Sequence, residues 1–397
     1  MSASSIPPPH AGARAIGRRP RVSRFLKILV AITLIAHVPF VLGISELLRR
    51  LEVPLALSWI VPALLSAAGV FLFIGRAKNM MNDSPRPWTQ TFLLDVPYFA
   101  HWSACIYCLV PSLVYSLLIA PITGRFELGF FMWCYLSGFV VCGYGVTLRR
   151  WFFLTRKIDI PVRGLDKDLD GYTIVHLSDM HIGAMTPKWW AQRWIARANE
   201  LAGDAVVVTG DMVTSGVAFH EDIAALIGDL RAKDGVFVSM GNHDYFGEGE
   251  PLIHLLIERG ARVLRNEGLV MDRGPTARFY LAAIDDTWTK RANLDRALEG
   301  RPDGMPTVLL AHDPDRFPQA AKRGVELVLS GHTHGGQIAV PFFARHVNAS
   351  KLAHHFHLGI YKDGDATLFV HPGLGTTGPP IRLGVAPAVV QLRLRAV

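Results

Sequence analysis

The chain has 397 residues, 50% of them hydrophobic and only 19% charged. A soluble domain of this size is about a quarter charged, so the composition argues against a wholly water-soluble protein, and the apolar content excludes disorder for most of the chain. The net charge of +8 is unevenly placed: residues 1–157 hold 16 Lys and Arg against 5 Asp and Glu, and residues 158–397 hold 25 against 28. Basic residues that flank apolar runs point to a membrane and away from nucleic acid.

Residues 1–24 are rich in Pro, Ala and Arg and are expected to form a disordered basic tail. Within 25–150, four apolar stretches follow, at 25–45, 55–75, 100–120 and 128–148. Each is close to the ~20 residues that cross a bilayer as a helix. Arg14, Arg18, Arg19, Arg21 and Arg24 precede the first stretch. Arg76, Lys78 and Arg86 separate the second from the third, and Arg149, Arg150, Arg156 and Lys157 follow the fourth. The other side has only Arg49, Arg50 and Arg125. The positive-inside bias predicts a multi-pass protein of the inner (cytoplasmic) membrane, with its C-terminal domain facing the cytoplasm. Arg18-Arg19 is a weaker mark of a twin-arginine export signal, against which three further spans argue. All four cysteines, Cys105, Cys108, Cys134 and Cys142, lie here. They read as small apolar helix residues, because Cys105 and Cys108 lack a second pair at metal-site spacing.

From residue 158 short β-branched runs alternate with amphipathic stretches. Strands are predicted at 172–178, 205–209, 235–240, 278–284, 307–311, 325–330, 366–370 and 389–395, and helices at 187–201, 219–232, 251–259, 292–299 and 314–323. Continuous apolar strands spaced by helices predict an α/β layered domain over 158–397.

Polar clusters follow five of these strands. They are Asp179-Met180-His181, Gly210-Asp211, Gly241-Asn242-His243-Asp244, His312-Asp313 and Gly331-His332-Thr333-His334-Gly335-Gly336. In α/β sheets the site lies beyond the carboxyl ends of the strands, so the clusters are expected to converge. Carboxylate, imidazole and amide ligands suit Mn, Fe, Zn or Co better than an all-oxygen calcium site. Two Asp, four His and one Asn of this set, with His243 left spare, are too many ligands for one ion and suit two ions sharing a carboxylate, spaced ~3.5–4 Å apart to clamp a phosphoryl group. Asp179 and His181 are expected to reach one ion as alternate residues of an extended segment. His332 and His334 serve different ions if the loop turns between them.

The motifs D-x-H, G-D, G-N-H-D, a later His and G-H-T-H, in this order, resemble the calcineurin-like metallophosphoesterase superfamily. The strings DMHIG, GDMV, GNHDY, HDPD and SGHTHGGQI are similar to its bacterial membrane-associated branch, which includes UDP-2,3-diacylglucosamine pyrophosphatase-type enzymes. The resemblance implies a layered α/β/β/α sandwich behind a four-helix transmembrane region. It also implies two divalent metal ions. Asp179, His181 and His334 would hold the first, Asn242, His312 and His332 the second, and Asp211 would bridge them. His243 would contact the phosphate and protonate the leaving oxygen, with Asp244 orienting its ring.

Other polar residues have structural readings. His176 reads as a packed core histidine, Asp204 as a cap, and Trp189 and Trp190 as packing residues. Gly335-Gly336 reads as a tight turn, and Asp313 as the start of a helix or a support for a ligand histidine. Segment 341–361, with Phe342, Phe343, Phe356, Tyr361, Arg345 and four histidines, reads as a folded surface excursion or as a lid for lipid or an anionic headgroup. The branch often has Pro-Glu where this chain has Pro387-Ala388.

The expected function is a membrane-anchored dimetal phosphoesterase that hydrolyses a phosphate ester or pyrophosphate bond by metal-activated hydroxide. The bilayer and a phosphate-ester substrate are its expected partners, and a lipid-linked substrate is one form of that expectation. The alternatives are a soluble substrate, with the helices as a tether, and a non-catalytic membrane sensor built on the same fold.

Overall fold

The computed structural model describes residues 20–78, 83–274, 277–340 and 343–397. Most of the expected tail and Phe342 lie outside them. Among the described residues, four helices are long and apolar enough to cross a bilayer. The first spans Pro20–Arg50, so the last residues of the expected tail are helical. The second spans Leu55–Lys78, the third Trp88–Thr123 and the fourth Leu128–Arg149. Their outer faces display Phe71, Leu93, Leu117, Ile122 and Val140, each more than two-thirds exposed. An apolar surface on this scale marks a membrane or protein contact.

The third helix is longer than its sequence pattern predicts. At 36 residues it runs about 54 Å, and π-helical turns interrupt it at Thr91–Asp95 and Tyr115–Ile119. The early extension brings Asp95 into the helix. This buried carboxylate pairs with Arg76 at the end of the second helix and with Arg86 at 3.1 Å.

The α/β domain has two six-stranded sheets. The first has the order β1-β12-β2-β3-β4-β5, with β1 Leu154–Val162, β2 Thr173–Leu177, β3 Ala205–Thr209, β4 Val236–Ser239, β5 Arg262–Val263 and β12 Ala388–Ala396. The second has the order β10-β11-β9-β8-β7-β6, with β6 Glu267–Asp272, β7 Arg278–Ala283, β8 Thr307–Leu310, β9 Leu327–Ser330, β10 Gly359–Asp363 and β11 Ala366–Val370. Neighbours from β2 to β5 run parallel, as do those from β7 through β8 and β9 to β11.

The sheets pack face to face through Ile160, Ile174, Val207 and Phe237 on one side and Leu281, Val308, Leu329 and Phe369 on the other. The outer face of the first sheet is covered by Trp190 and Trp194 of helix Lys188–Glu200, Ile223 of His220–Gly228 and Leu252 of Gly249–Glu258. The outer face of the second is covered by Leu294, Phe317 and Ala320. This is the layered α/β/β/α arrangement that the family resemblance implies.

Strand β1 escaped the sequence reading because Leu154–Asp159 is mostly exposed and carries Arg156 and Lys157. It lies parallel to β12, with Leu154 opposite Ala388. Ala388 is fully buried, so the position that departs from Pro-Glu is a packing position. Asp204 accepts from Thr173 N and Oγ1, at 2.8 and 2.7 Å, tying β2 to the start of β3. His176 is fully buried, with Nε2 2.8 Å from Thr209 Oγ1. Trp190 is buried, its ring tilted against that of Trp151 with centroids 4.2 Å apart, while Trp189 is half exposed.

Candidate metal centre

The carboxyl ends of β2, β3, β4, β8 and β9 open onto one place. Asp179 and His181 follow β2, Asp211 follows β3, Asn242 follows β4, His312 follows β8, and His332 and His334 follow β9. Ligand atoms of Asp179, His181 and His334 lie within 4.8 Å of one another, and so do those of Asp211, His312 and His332. A further such group joins Asp211 and His181 to His243. Asp211 Oδ2 is 3.6 Å from His181 Nε2 and 3.2 Å from His312 Nε2, so this one carboxylate faces both halves.

Backbone geometry explains the convergence. Asp179, His181, Asp211, His332 and His334 all have left-handed φ, between 46° and 70°. Such conformations are uncommon outside glycine and carry strain of order 1–3 kcal/mol each. Asp179 and His181 therefore reach the same place through two left-handed residues, which corrects the expectation of an extended segment. In the Gly331–Gly336 loop the two left-handed histidines diverge: His332 Nδ1 lies 3.2 Å from His312 Nε2, and His334 Nε2 lies 3.0 Å from His181 Nε2. Gly331 has no alternative here, because a Cβ would fall on Ser178 Oγ and Asp179 Oδ2.

The donor set fits divalent cations. Asp179 Oδ2 and Asn242 Oδ1 are buried without a hydrogen-bond partner, which is costly for polar atoms unless something satisfies them. His312 Nδ1 donates to Thr209 O at 2.6 Å, which fixes the tautomer and leaves Nε2 as a ligand. Burial holds His181 and His334 well below the ordinary imidazole value and His332 at about 3, so all three are neutral near pH 7. Burial pushes Asp179 up to about 7. Burial opposes charge on Asp211 too, but His312 and His243 outweigh it and hold this carboxyl well below its usual range. His312, lowered by burial, is carried up to about 10 by the same Asp211. Cation binding between these two would displace that proton.

Asp244 stands elsewhere than expected. Its carboxylate accepts from the backbone N–H groups of Asp211 at 3.0 Å, Met212 at 2.7 Å, Val213 at 3.3 Å and Gly241 at 2.8 Å. It splints the Asp211 loop and makes no bond to the His243 ring. That ring is oriented by Thr214, whose carbonyl accepts from His243 Nδ1 at 2.6 Å, leaving Nε2 3.3 Å from Thr377 Oγ1. Asp313 likewise caps the turn at Pro314–Arg316 through Asp315 N at 3.0 Å and does not support His312.

A calcineurin-like phosphoesterase family model matches residues 172–336, the stretch that carries all five polar clusters. The chain carries a calcineurin-like metallophosphoesterase domain. It is 32% identical over 251 residues to a transmembrane protein with metallophosphoesterase domain from Danio rerio, a match that covers 60% of this chain and 56% of that protein. It is 28% identical over 257 residues to the uncharacterized metallophosphoesterase YkuE of Bacillus subtilis, over 64% of this chain and 90% of the relative. An uncharacterized metallophosphoesterase of Helicobacter pylori is 32% identical over 246 residues, covering 60% of this chain and 63% of the relative. The chain thus spans little more than half the length of the Danio relative.

Several residues around the phosphoesterase centre were given no site role by the sequence reading. Arg382 is fully buried and donates to Gly375 O at 2.6 Å and to Pro372 O at 2.8 Å, with Nη2 3.3 Å from His334 Nδ1. Trp288, largely exposed, places its ring 5.4 Å from that of His332, and Phe246 lies 4.5 Å from His243. In segment 341–361, His354 joins Asp313 and Asp315 in a polar group and lies 5.1 Å from His332, while Phe356 packs on Phe317.

The apolar helices touch the same loops. Asp83, between the second and third helices, accepts from Ala184 N at 2.9 Å and donates its own N–H to Ser215 Oγ at 3.1 Å. Arg150 donates to Met185 O at 2.8 Å, and Arg382 N donates to Gly145 O at 3.1 Å.

Proposed function

We propose that the protein is a membrane-anchored dimetal phosphoesterase that hydrolyses a phosphate ester or pyrophosphate bond on a lipid-linked substrate. The observation that carries this reading is the pair of carboxylate–imidazole groups, Asp179–His181–His334 and Asp211–His312–His332, with Asp211 also grouped with His181 and His243. Asp179, His181 and His334 would hold one divalent cation, Asn242, His312 and His332 the other, and Asp211 both. Bound cations of this kind lower the pKa of water and neutralise phosphoryl oxygens. The chain's own residues supply the rest. Neutral imidazoles and two carboxylates would hold the cations, and through them set where phosphorus binds. His243 Nε2 gives its proton to the departing oxygen, and the Thr214 carbonyl stabilises the imidazolium through Nδ1–H.

A substrate held in the bilayer is supported by the three contacts between the helices and the loops of the centre, through Asp83, Arg150 and Gly145. Exposed Ile338, Val340 and Phe343 follow the last metal motif, and Ile338 bridges Leu383, which packs against the helix cluster. The basic flanks favour the inner membrane with this domain in the cytoplasm.

The test is a substrate profile of the full chain with its metal content measured on the same sample. Mn, Fe, Zn or Co should each be tried, with lipid phosphates in micelles set against soluble phosphodiesters and nucleotides. Lipid phosphates should be preferred, and turnover should vanish in Asp211→Asn and fall ~10²–10⁴-fold in His243→Ala. Turnover of soluble esters alone would make the helices a tether, and no turnover with any metal would make the protein a sensor.

A further inference from the structure

The apolar bundle holds a second group of ligand atoms far from the phosphoesterase motifs. His37 lies near the middle of the first helix, and His101 and Cys105 lie on the third. Their ligand atoms fall within 4.8 Å of one another. His37 and Cys105 are buried, at 2% and 0% exposed. A polar side chain in the middle of a membrane helix is costly and marks a function by default.

The hydrogen bonds prepare both histidines as ligands. His37 Nδ1 lies 2.7 Å from Thr33 O, and a carbonyl can only accept, so Nδ1 carries the proton. Nε2 of His37 is then a bare acceptor, buried and without any partner. Leaving such an atom unsatisfied costs about 1–3 kcal/mol. His101 Nδ1 lies 2.9 Å from Tyr135 Oη, so its Nε2 can also carry the lone pair. This support of the distal nitrogen by a carbonyl or hydroxyl is the usual second layer of a metal-bound histidine. Cys105 Sγ sits 3.8–3.9 Å from the His101 ring nitrogens, one helical turn along. The second helix leaves room opposite: a Cβ at Gly69 would stand 3.0 Å from His37 Nε2 and 3.5 Å from His101 Nε2.

We infer that His37, His101 and Cys105 form an intramembrane site for a borderline-to-soft transition metal, Zn²⁺ or Cu⁺, with its open position facing Gly69. Two imidazoles and a thiolate select these ions over hard cations. Three protein ligands with one open position is the pattern of a site that exchanges or presents its metal, in contrast to a closed structural one. Binding would release the Cys105 thiol proton and tie the first helix to the third. The site is independent of the phosphoesterase centre, whose domain contains no cysteine.

That independence provides the test. The full chain in detergent is titrated with Co²⁺, as a spectroscopic substitute for zinc, and separately with Cu⁺ against a chromogenic chelator. A sulfur-to-metal charge-transfer band can arise only from the helices. The expected result is a band whose intensity corresponds to about one thiolate-bound metal per chain beyond those the phosphoesterase centre takes, absent in Cys105→Ser, weakened about tenfold or more in affinity in His37→Gln and kept in Cys108→Ser and Cys134→Ser. Each variant must retain aryl phosphodiester hydrolysis or, failing any turnover, native near-ultraviolet circular dichroism. Should a variant fail that control, X-ray absorption of the metal-loaded wild type decides, through one sulfur and two imidazole neighbours. A cobalt response assigns the site to zinc, and a copper response alone assigns it to Cu⁺. Absence of a sulfur signature with both metals, or its survival in Cys105→Ser, overturns the inference.

Discussion

The two histidine clusters of this protein are built in opposite ways. At the phosphoesterase centre the side chains leave strand ends on left-handed residues, and the loops are splinted by Asp244 and buried Arg382. In the bundle, His37, His101 and Cys105 stand on regular helix, and only side-chain spacing and a glycine opposite make the cluster. Seven donors around two close positions need backbone that no regular element provides, whereas three donors around one position can be met by two packed helices. The irregular site consequently depends on its supports, and the helical one depends chiefly on its own ligands.

Asp244→Asn tests that dependence most severely. An amide keeps one acceptor oxygen and turns a donor toward backbone N–H groups that now point at a carboxylate. Loss of such a support typically costs 10–100-fold, and kcat/KM of the metal-loaded protein should fall by about that much, with metal content falling in parallel. The alkaline limb of the rate profile, where a proton donor is lost, should stay in place, because Thr214 and not Asp244 orients His243. A displaced limb with metal content unchanged would restore the direct link between Asp244 and that ring.

Asp83→Ala asks whether the helices are part of the frame. It removes the acceptor of Ala184 N, close after His181, and leaves Arg86 to Asp95 alone. Ala184 is half-buried, so its freed N–H costs at most the about 1–3 kcal/mol of a fully buried donor, spread here over folding and catalysis. The expected fall in kcat is several-fold, smaller than for Asp244→Asn, with little change in KM for a soluble aryl ester. Unchanged kcat would mean that the loop between the second and third helices merely rests on the domain.

The contrast also explains what the sequence could reveal. The layers followed from apolar runs such as Ala205–Thr209 and Leu327–Ser330, buried throughout. The polar clusters stood out because each follows such a run within a few residues. Strand β1 did not, since its exposed first half has no apolar alternation. Asp244 was misplaced because adjacency to His243 says nothing of where each side chain turns. Arg382, Thr377 and Asp83 act from remote segments that only the tertiary structure brings near. His37 was invisible for a different reason: one histidine in an apolar helix acquires meaning only when the partner helix is known.

A third histidine pair gives the smallest effect and shows what burial does without ligand geometry. His176 and His371 are fully buried between the sheets, with ring centroids 4.8 Å apart. Burial lowers His176 to about 3 and His371 well below its ordinary value. An unfolded histidine titrates at about 6.5, so below that pH the unfolded chain binds protons that the folded chain refuses. The stability due to these neutral rings is therefore complete above about pH 6.5 and is lost as pH falls toward 3. Each ring adds at most about 1.4 kcal/mol per pH unit to that slope. With chelator present, so that metal release makes no contribution, His176→Gln should flatten the fall of the unfolding midpoint between about pH 6.5 and 5. The Asp204 carboxyl, which burial would raise but its bonds to Thr173 and Lys233 hold at about 2, contributes only below about pH 4 and leaves this window clear. An undiminished slope in His176→Gln would mean that the acid sensitivity of the domain arises from the metal-centre imidazoles and not from its core.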